Sequence, residues 1–237
     1  MEINGRQPVD DLIPGVFELY KHGCQQLWKN KIKLLLIFFI AFIIQLLGGF
    51  LGLNILRLPF SLGIAYTCLV CFPVNYGVLY TFLRAVRGDR LTIMDLFKFT
   101  GNYWNVVVAS IITNLIIVYG MILLILPGII FGCKLAFTPF LVVDLRMNAF
   151  KAIKTSWQMT KGHAYKIFFI NLLIIIPIFL CWTPIASAIS ESSFWFIPFL
   201  LIILIIILIG LALASLYHFI VISEDLSGGN NIDNTID

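Results

Sequence analysis

Residues 104–144, WNVVVASIITNLIIVYGMILLILPGIIFGCKLAFTPFLVVD, form one apolar stretch interrupted only by Pro127-Gly128. A helix needs about 20 apolar residues to cross a hydrocarbon core of about 30 Å, so this stretch is either one kinked helix or two spans joined by a hairpin. Proline removes a backbone donor and glycine permits a tight turn, and both outcomes suit the Pro127-Gly128 step. Positive charge decides between them. All Lys and Arg except Arg57 and Lys134 fall between Arg6 and Lys33, Arg84 and Lys98, or Arg146 and Lys166. Cytoplasmic connections attract such an excess. A hairpin at Pro127 puts all three clusters on one side; a single kinked helix would export the third. Six spans are therefore expected, near 34–53, 59–83, 104–126, 128–144, 166–188 and 194–222, with both termini in the cytoplasm. The fourth is short and is expected either to cross with little tilt or to return to the same face.

Composition agrees that lipid is the solvent. The chain is 60% hydrophobic and 12% charged, with a mean hydropathy of +1.00. Soluble domains carry about 25% charged residues. The first apolar run begins after Lys33, is too long for a signal-peptide core and lacks a small-residue cleavage site, so it is expected to remain as a span. The five cysteines show no secreted-scaffold spacing, and the Cys68-x-x-Cys71 pair lacks a thioredoxin-like context and reads as packing. The expected fold class is an all-α polytopic transmembrane bundle with a Pro-Gly hairpin and interfacial amphipathic helices. It forms one integral domain over residues 1–222, with 1–30 cytoplasmic or interfacial and 223–237 a disordered acidic cytoplasmic tail.

Three amphipathic segments lie between the spans. From Asn148 to Lys161, Phe150, Ile153 and Trp157 recur at steps of three and four while Lys151, Lys154, Gln158 and Lys161 gather beside them, a pattern that suits the headgroup plane. Thr160 interrupts the stripe and Met159 points to the opposite face. Asn148 is the expected N-cap and Gly162 the expected stop. A second segment starts at Thr92, spaced for capping with Asp95. A third runs from Pro14 to Asn30.

Pro127-Gly128-Ile129-Ile130, then Lys134 to Phe140, Asp144, Ala152-Ile153-Lys154-Thr155-Ser156-Trp157 and Lys161-Gly162-His163 follow one another in an order that resembles the membrane domain accompanying some bacterial glycerophosphodiester phosphodiesterases, and related uncharacterised multi-helix bacterial membrane proteins. Arg87-Gly88, Asp95-Leu96-Phe97 and Leu216-Tyr217 look similar too. The resemblance covers roughly residues 87–222 and implies a six-helix bundle of unknown activity in a bacterial inner membrane. It does not import the phosphodiesterase, whose barrel needs about 250 further residues.

Lys134 stands out as a cation about 15 Å along a helix from the third basic cluster, where insertion costs roughly 2.5–3.5 kcal/mol. It either faces a water-filled cavity or an anionic ligand, or snorkels to an interface. Asp144 and Arg146 are expected to pair with each other or with Lys134. Lys151, Lys154, Trp157 and Lys161 suit anionic lipid headgroups, or satisfy only the positive-inside bias. Asn75, Asn114 and Asn171 are expected to bond between helices, Pro73 and Pro177 to kink them, and the small residues Gly48, Gly49, Gly52, Gly210 and Ala214 to bring helices close.

No acid lies deep in an expected span to carry a proton relay, no Cys/His spacing suits a metal, and no nucleophile motif is present. A non-enzymatic protein without cofactors is expected, binding membrane lipids or a membrane-protein partner and no nucleic acid. A transporter or channel for a small or anionic solute is the alternative, resting on Lys134 and the Pro-Gly break.

Overall fold

A computed structural model of the chain describes residues 14–47, 60–173 and 196–226, and among these every regular element is a helix. The helices are α1 (Val16–Leu46), α2 (Phe60–Tyr66), α3 (Phe72–Arg87), α4 (Tyr103–Leu123), α5 (Ile125–Lys134), α6 (Thr138–Asp144), α7 (Ala149–Met159), α8 (Ala164–Leu172) and α9 (Phe196–Leu226). A π-helical turn, Thr67–Cys71, joins α2 to α3, and a 3-10 helix, Ile93–Asn102, leads into α4.

Among the described residues, four helical stretches are long and apolar enough to cross a membrane: Ser61–Arg87, Ile93–Leu123, Leu126–Asp144 and Ile202–Ile222. They coincide with the second, third, fourth and sixth expected spans. The first and fifth run into residues 48–59 and 174–195, outside the described residues, as do Gly48, Gly49, Gly52, Pro177, Cys181 and residues 227–237.

The break after α4 differs from the expectation. The chain turns at a single extended residue, Leu124 (φ −163°, ψ 139°), rather than at Pro127-Gly128. Pro127 instead occupies the first turn of α5, where a missing N–H costs nothing because no helical carbonyl precedes it. Gly128 lets α5 approach α4, since a Cβ there would stand 2.7 Å from Met121 N, and a Cβ on Gly120 would stand 3.0 Å from Gly128 Cα. The glycine serves helix contact, not the turn. A second break, Leu135–Phe137, follows from Pro139 in the first turn of α6 and separates α5 from α6, so Lys134 ends a short helix instead of sitting within a long one.

Three contacts far apart in sequence draw the basic segments to one end of the bundle. Tyr20 donates its hydroxyl to the Ile170 carbonyl at 2.6 Å, His22 Nδ1 lies 3.2 Å from Ser215 Oγ, and Arg87 meets Asp144. Burial pushes the Tyr20 phenol up to about 12, keeping it a donor. The core at this end is aromatic: buried Tyr217 stacks on Phe140 at 5.0 Å between ring centroids and lies 5.6 Å from Phe137.

α3 packs against the 3-10 helix through Gly77, and against α9 through Phe82, which faces Gly210. Gly210 and buried Ala214 thus serve close packing within the bundle, as their spacing predicts. Asn75 bonds across helices, accepting from Gln45 Nε2 at 3.1 Å. Among the described residues Asn114 bonds locally, its amide donating to Ser110 O one turn back at 2.8 Å. Pro73 falls at the start of α3 directly after the π turn, where its lack of an N–H is absorbed.

Candidate functional site

Most of the segments that carried the family resemblance, separated by up to 130 residues in sequence, meet at the basic end, while Pro127-Gly128 packs against the far end of α4. Two acid–base clusters organise the junction. Arg87, in the last turn of α3, grips Asp144 at the end of α6 with both terminal nitrogens, Nη1 to Oδ1 at 2.7 Å and Nη2 to Oδ2 at 2.6 Å. The fork geometry of guanidinium and carboxylate makes this a bidentate, charge-assisted contact. Asp144 therefore pairs neither with Arg146 nor with Lys134. An arginine on the neighbouring helix end reaches it with two bonds, whereas Arg146 turns away through a left-handed backbone (φ 51°) and lays its guanidinium beside Gly101.

One turn earlier on α3, Arg84 bonds Asp95 through Nη1 and reaches Asp89 from Nε at 3.2 Å. Asp95 is buried, and its other oxygen accepts the Thr92 backbone N–H at 2.8 Å. The expected Thr92–Asp95 capping is thus present as a full capping box, on a 3-10 rather than an α-helix. Asp95 both caps that helix and pins it to α3. Asn102 adds a third tie, donating to the carbonyls of Val142 at 3.3 Å and Met147 at 3.2 Å.

α7 is built with two faces of different character. Ala149, Ala152, Thr155, Ser156 and Met159 are buried against the bundle. Phe150 (73% exposed) and Trp157 (37% exposed) face outward with Lys154. The apolar stripe read from the sequence is the outward one, and the protein-facing side is made of small residues that let helices approach. Asn148 occupies the N-cap position without a side-chain bond, and Gly162 (φ 84°) ends the turn that follows α7.

Thr160, which interrupts the stripe, and Ser156, on the buried small-residue face, both stand beside the end of α5. Ser156 Oγ donates at 3.0 Å to the Lys134 carbonyl, which the end of α5 leaves without a helical partner, while Thr160 Oγ1 donates to Ser156 O at 2.9 Å and lies 3.3 Å from the same Lys134 carbonyl. The signal in the sequence was there: two hydroxyls four residues apart on the small-residue face. The Lys134 ammonium lies 5.8 Å from the Trp157 ring centroid, a cation–π contact. So Lys134 and Trp157 are brought together, while Lys151, Lys154 and Lys161 are in no ion pair among the described residues. No group of three or more His, Cys, Asp or Glu placed to hold a metal occurs among them either.

No family model matches this chain. Over 124 residues, 52% of its length, it is 24% identical to a UPF0259 membrane protein of Photorhabdus laumondii, and the match takes in 45% of that protein. The chain thus spans about half the length of the curated relative, whose name states a membrane location and no activity. No solved structure matches. With its apolar helices, this similarity makes the chain a multi-pass integral membrane protein; it does not extend to a phosphodiesterase.

Proposed function

We propose that this chain is a six-span bacterial inner-membrane protein with both ends in the cytoplasm, which works without catalysis by holding anionic lipid headgroups, and through them partner membrane proteins, at its basic face. The observation that carries the reading is the outer face of α7: Phe150 and Trp157 are exposed alongside Lys154, with Lys151 half-buried and Lys161 exposed just beyond. An exposed tryptophan beside lysines is the composition of an interfacial anchor, in which the ring settles at headgroup depth and the ammonium groups meet phosphate. The opposite face is committed to the bundle, so α7 has one surface to offer, and its chemistry is that of a headgroup layer. Lys134 fits the same picture, its cation resting on Trp157.

Thermal unfolding of the detergent-purified full chain tests this. Phosphatidylglycerol should raise Tm with lipid concentration, by mass action on a folded-state site, well beyond phosphatidylcholine. Replacing Lys151, Lys154 and Lys161 by glutamine should remove most of the difference, each basic group near an anionic surface contributing about 1 kcal/mol. Equal stabilisation by the two lipids, or an unchanged preference in the triple variant, would overturn the reading.

A further inference from the structure

Along the seam between α1 and α9 two cavities follow one another, both walled almost wholly by apolar surface. The first, about 790 Å³, lies over the amino-terminal half of α1 between Phe17, Lys21, Trp28, Lys29 and Leu208. The second, about 510 Å³, is walled by Ile32, Leu35, Phe39, Phe42 and Ile203 and, like the first, has almost no polar surface, the lysines lining the first through their aliphatic stems. α1 runs antiparallel to α9 here, Gly23 lying against Leu211, so Leu208 and then Ile203 form the opposite wall as α1 proceeds. Asn30, with non-helical torsions (φ −117°, ψ 21°), bends α1 between the two cavities.

The cationic end is well supplied. Lys21 and Lys29 line the first cavity, and Lys31 Nζ sits 4.6 Å from the centroid of Trp28, which is 75% exposed with Phe17 at 82%. Neither Lys21 nor Lys29 is in an ion pair among the described residues. From Lys33 to Phe42 the helix advances about 14 Å, close to one leaflet's half of a hydrocarbon core of about 30 Å. Exposed Lys21, Lys29, Phe17 and Trp28 thus stand at the rim of an apolar groove one leaflet deep.

We infer that the α1–α9 seam is a binding site for one anionic phospholipid, with its phosphate between Lys21 and Lys29 and an acyl chain lying along Leu35 to Phe42. The site rests on the membrane reading above but not on α7, whose lysines belong to separate chemistry. A zwitterionic lipid would set its quaternary ammonium among these lysines and lose the charge match. The two cavities give the seam selectivity that a flat lipid-facing helix lacks.

The test is photo-crosslinking of the full chain in nanodiscs with phosphatidylglycerol carrying a diazirine in the acyl chain, against the same probe on phosphatidylcholine, read by peptide mapping. The anionic probe should label residues 35–42 roughly tenfold more than the zwitterionic one. Lys21→Gln with Lys29→Gln should bring labelling down to the phosphatidylcholine level, and the arginine pair at both positions should restore it. The Lys151, Lys154 and Lys161 glutamine variant should leave it unchanged. Equal labelling by the two probes, or labelling indifferent to Lys21 and Lys29, would mean ordinary surrounding lipid and would overturn the site. Loss of labelling only in the α7 variant would overturn it too, while leaving the α7 reading standing.

Discussion

Gly77→Ala should lower the unfolding temperature of the detergent-solubilised chain by about 6 to 12 °C, the shift expected for about 3 kcal/mol in a domain of this size. The reason is backbone against backbone. A Cβ on Gly77 would stand 1.9 Å from the Leu96 carbonyl oxygen and 3.1 Å from the Phe99 ring. Neither the carbonyl nor α3 has a rotamer to change, so the 3-10 helix must move off α3, at the upper end of the usual cost of overpacking. That movement also pulls Asp95 from Arg84, because Asp95 precedes Leu96 directly. Gly88→Ala is the control. Gly88 has φ 79° and nothing within 4 Å of a Cβ, so alanine there carries only the left-handed penalty of about 1 kcal/mol. Gly210→Ala should fall between, since the atoms it meets at 2.4 Å belong to the Phe82 ring, which can rotate aside. A Gly77→Ala protein that melts with the Gly88→Ala protein would show that α3 and the 3-10 helix do not touch this closely.

What the sequence displays and what it hides divide along a physical line. Spans are legible because their signal is local: length and apolar content suffice, and 61–87, 93–123, 126–144 and 202–222 could be approximated from runs alone. The Thr92–Asp95 cap is legible for the same reason, its partners standing three residues apart. The α4–α5 turn was displaced because proline and glycine each have two uses, and this chain takes the less obvious one of each: Pro127 opens a helix and Gly128 admits a neighbouring helix. The α5–α6 break does have a signature, Pro139, which cannot donate to the Leu135 carbonyl four residues back and so opens a new helix, although Leu135, Ala136 and Phe137 themselves would suit one. Ser156 of α7 then supplies a hydroxyl to the Lys134 carbonyl that the break exposes. Asp144 was recognised as a charge in need of a partner, but its true partner, Arg87, is 57 residues away, and no pattern within one helix points that far. Periodicity found the α7 stripe. In lipid the apolar side of a helix need not be the protein side, and here Ala149, Ala152 and Ser156 face the bundle.

Arg87 and Asp144 should behave as one unit. Arg87→Gln or Asp144→Asn alone breaks a bidentate pair in which the arginine side chain is 29% exposed and the aspartate 11%, leaving a largely dehydrated charge without its counter-ion. Fully buried pairs lose 3–5 kcal/mol on such a change; with this much solvent access about 2 kcal/mol is expected for each. The double variant Arg87→Gln/Asp144→Asn should be less damaging than the sum of the singles, because removing both charges removes the stranded one, and the coupling from the four unfolding temperatures should be 1 kcal/mol or more, roughly. Strict additivity would mean that the α3 and α6 ends are held by Tyr217 and its aromatic neighbours without help from the ion pair. Coupling, by contrast, would make this contact the latch of the basic end, since α6 leads through Arg146 directly into α7. In that case the single variants should also weaken the phosphatidylglycerol preference assigned to Lys151, Lys154 and Lys161, although neither Arg87 nor Asp144 belongs to that surface.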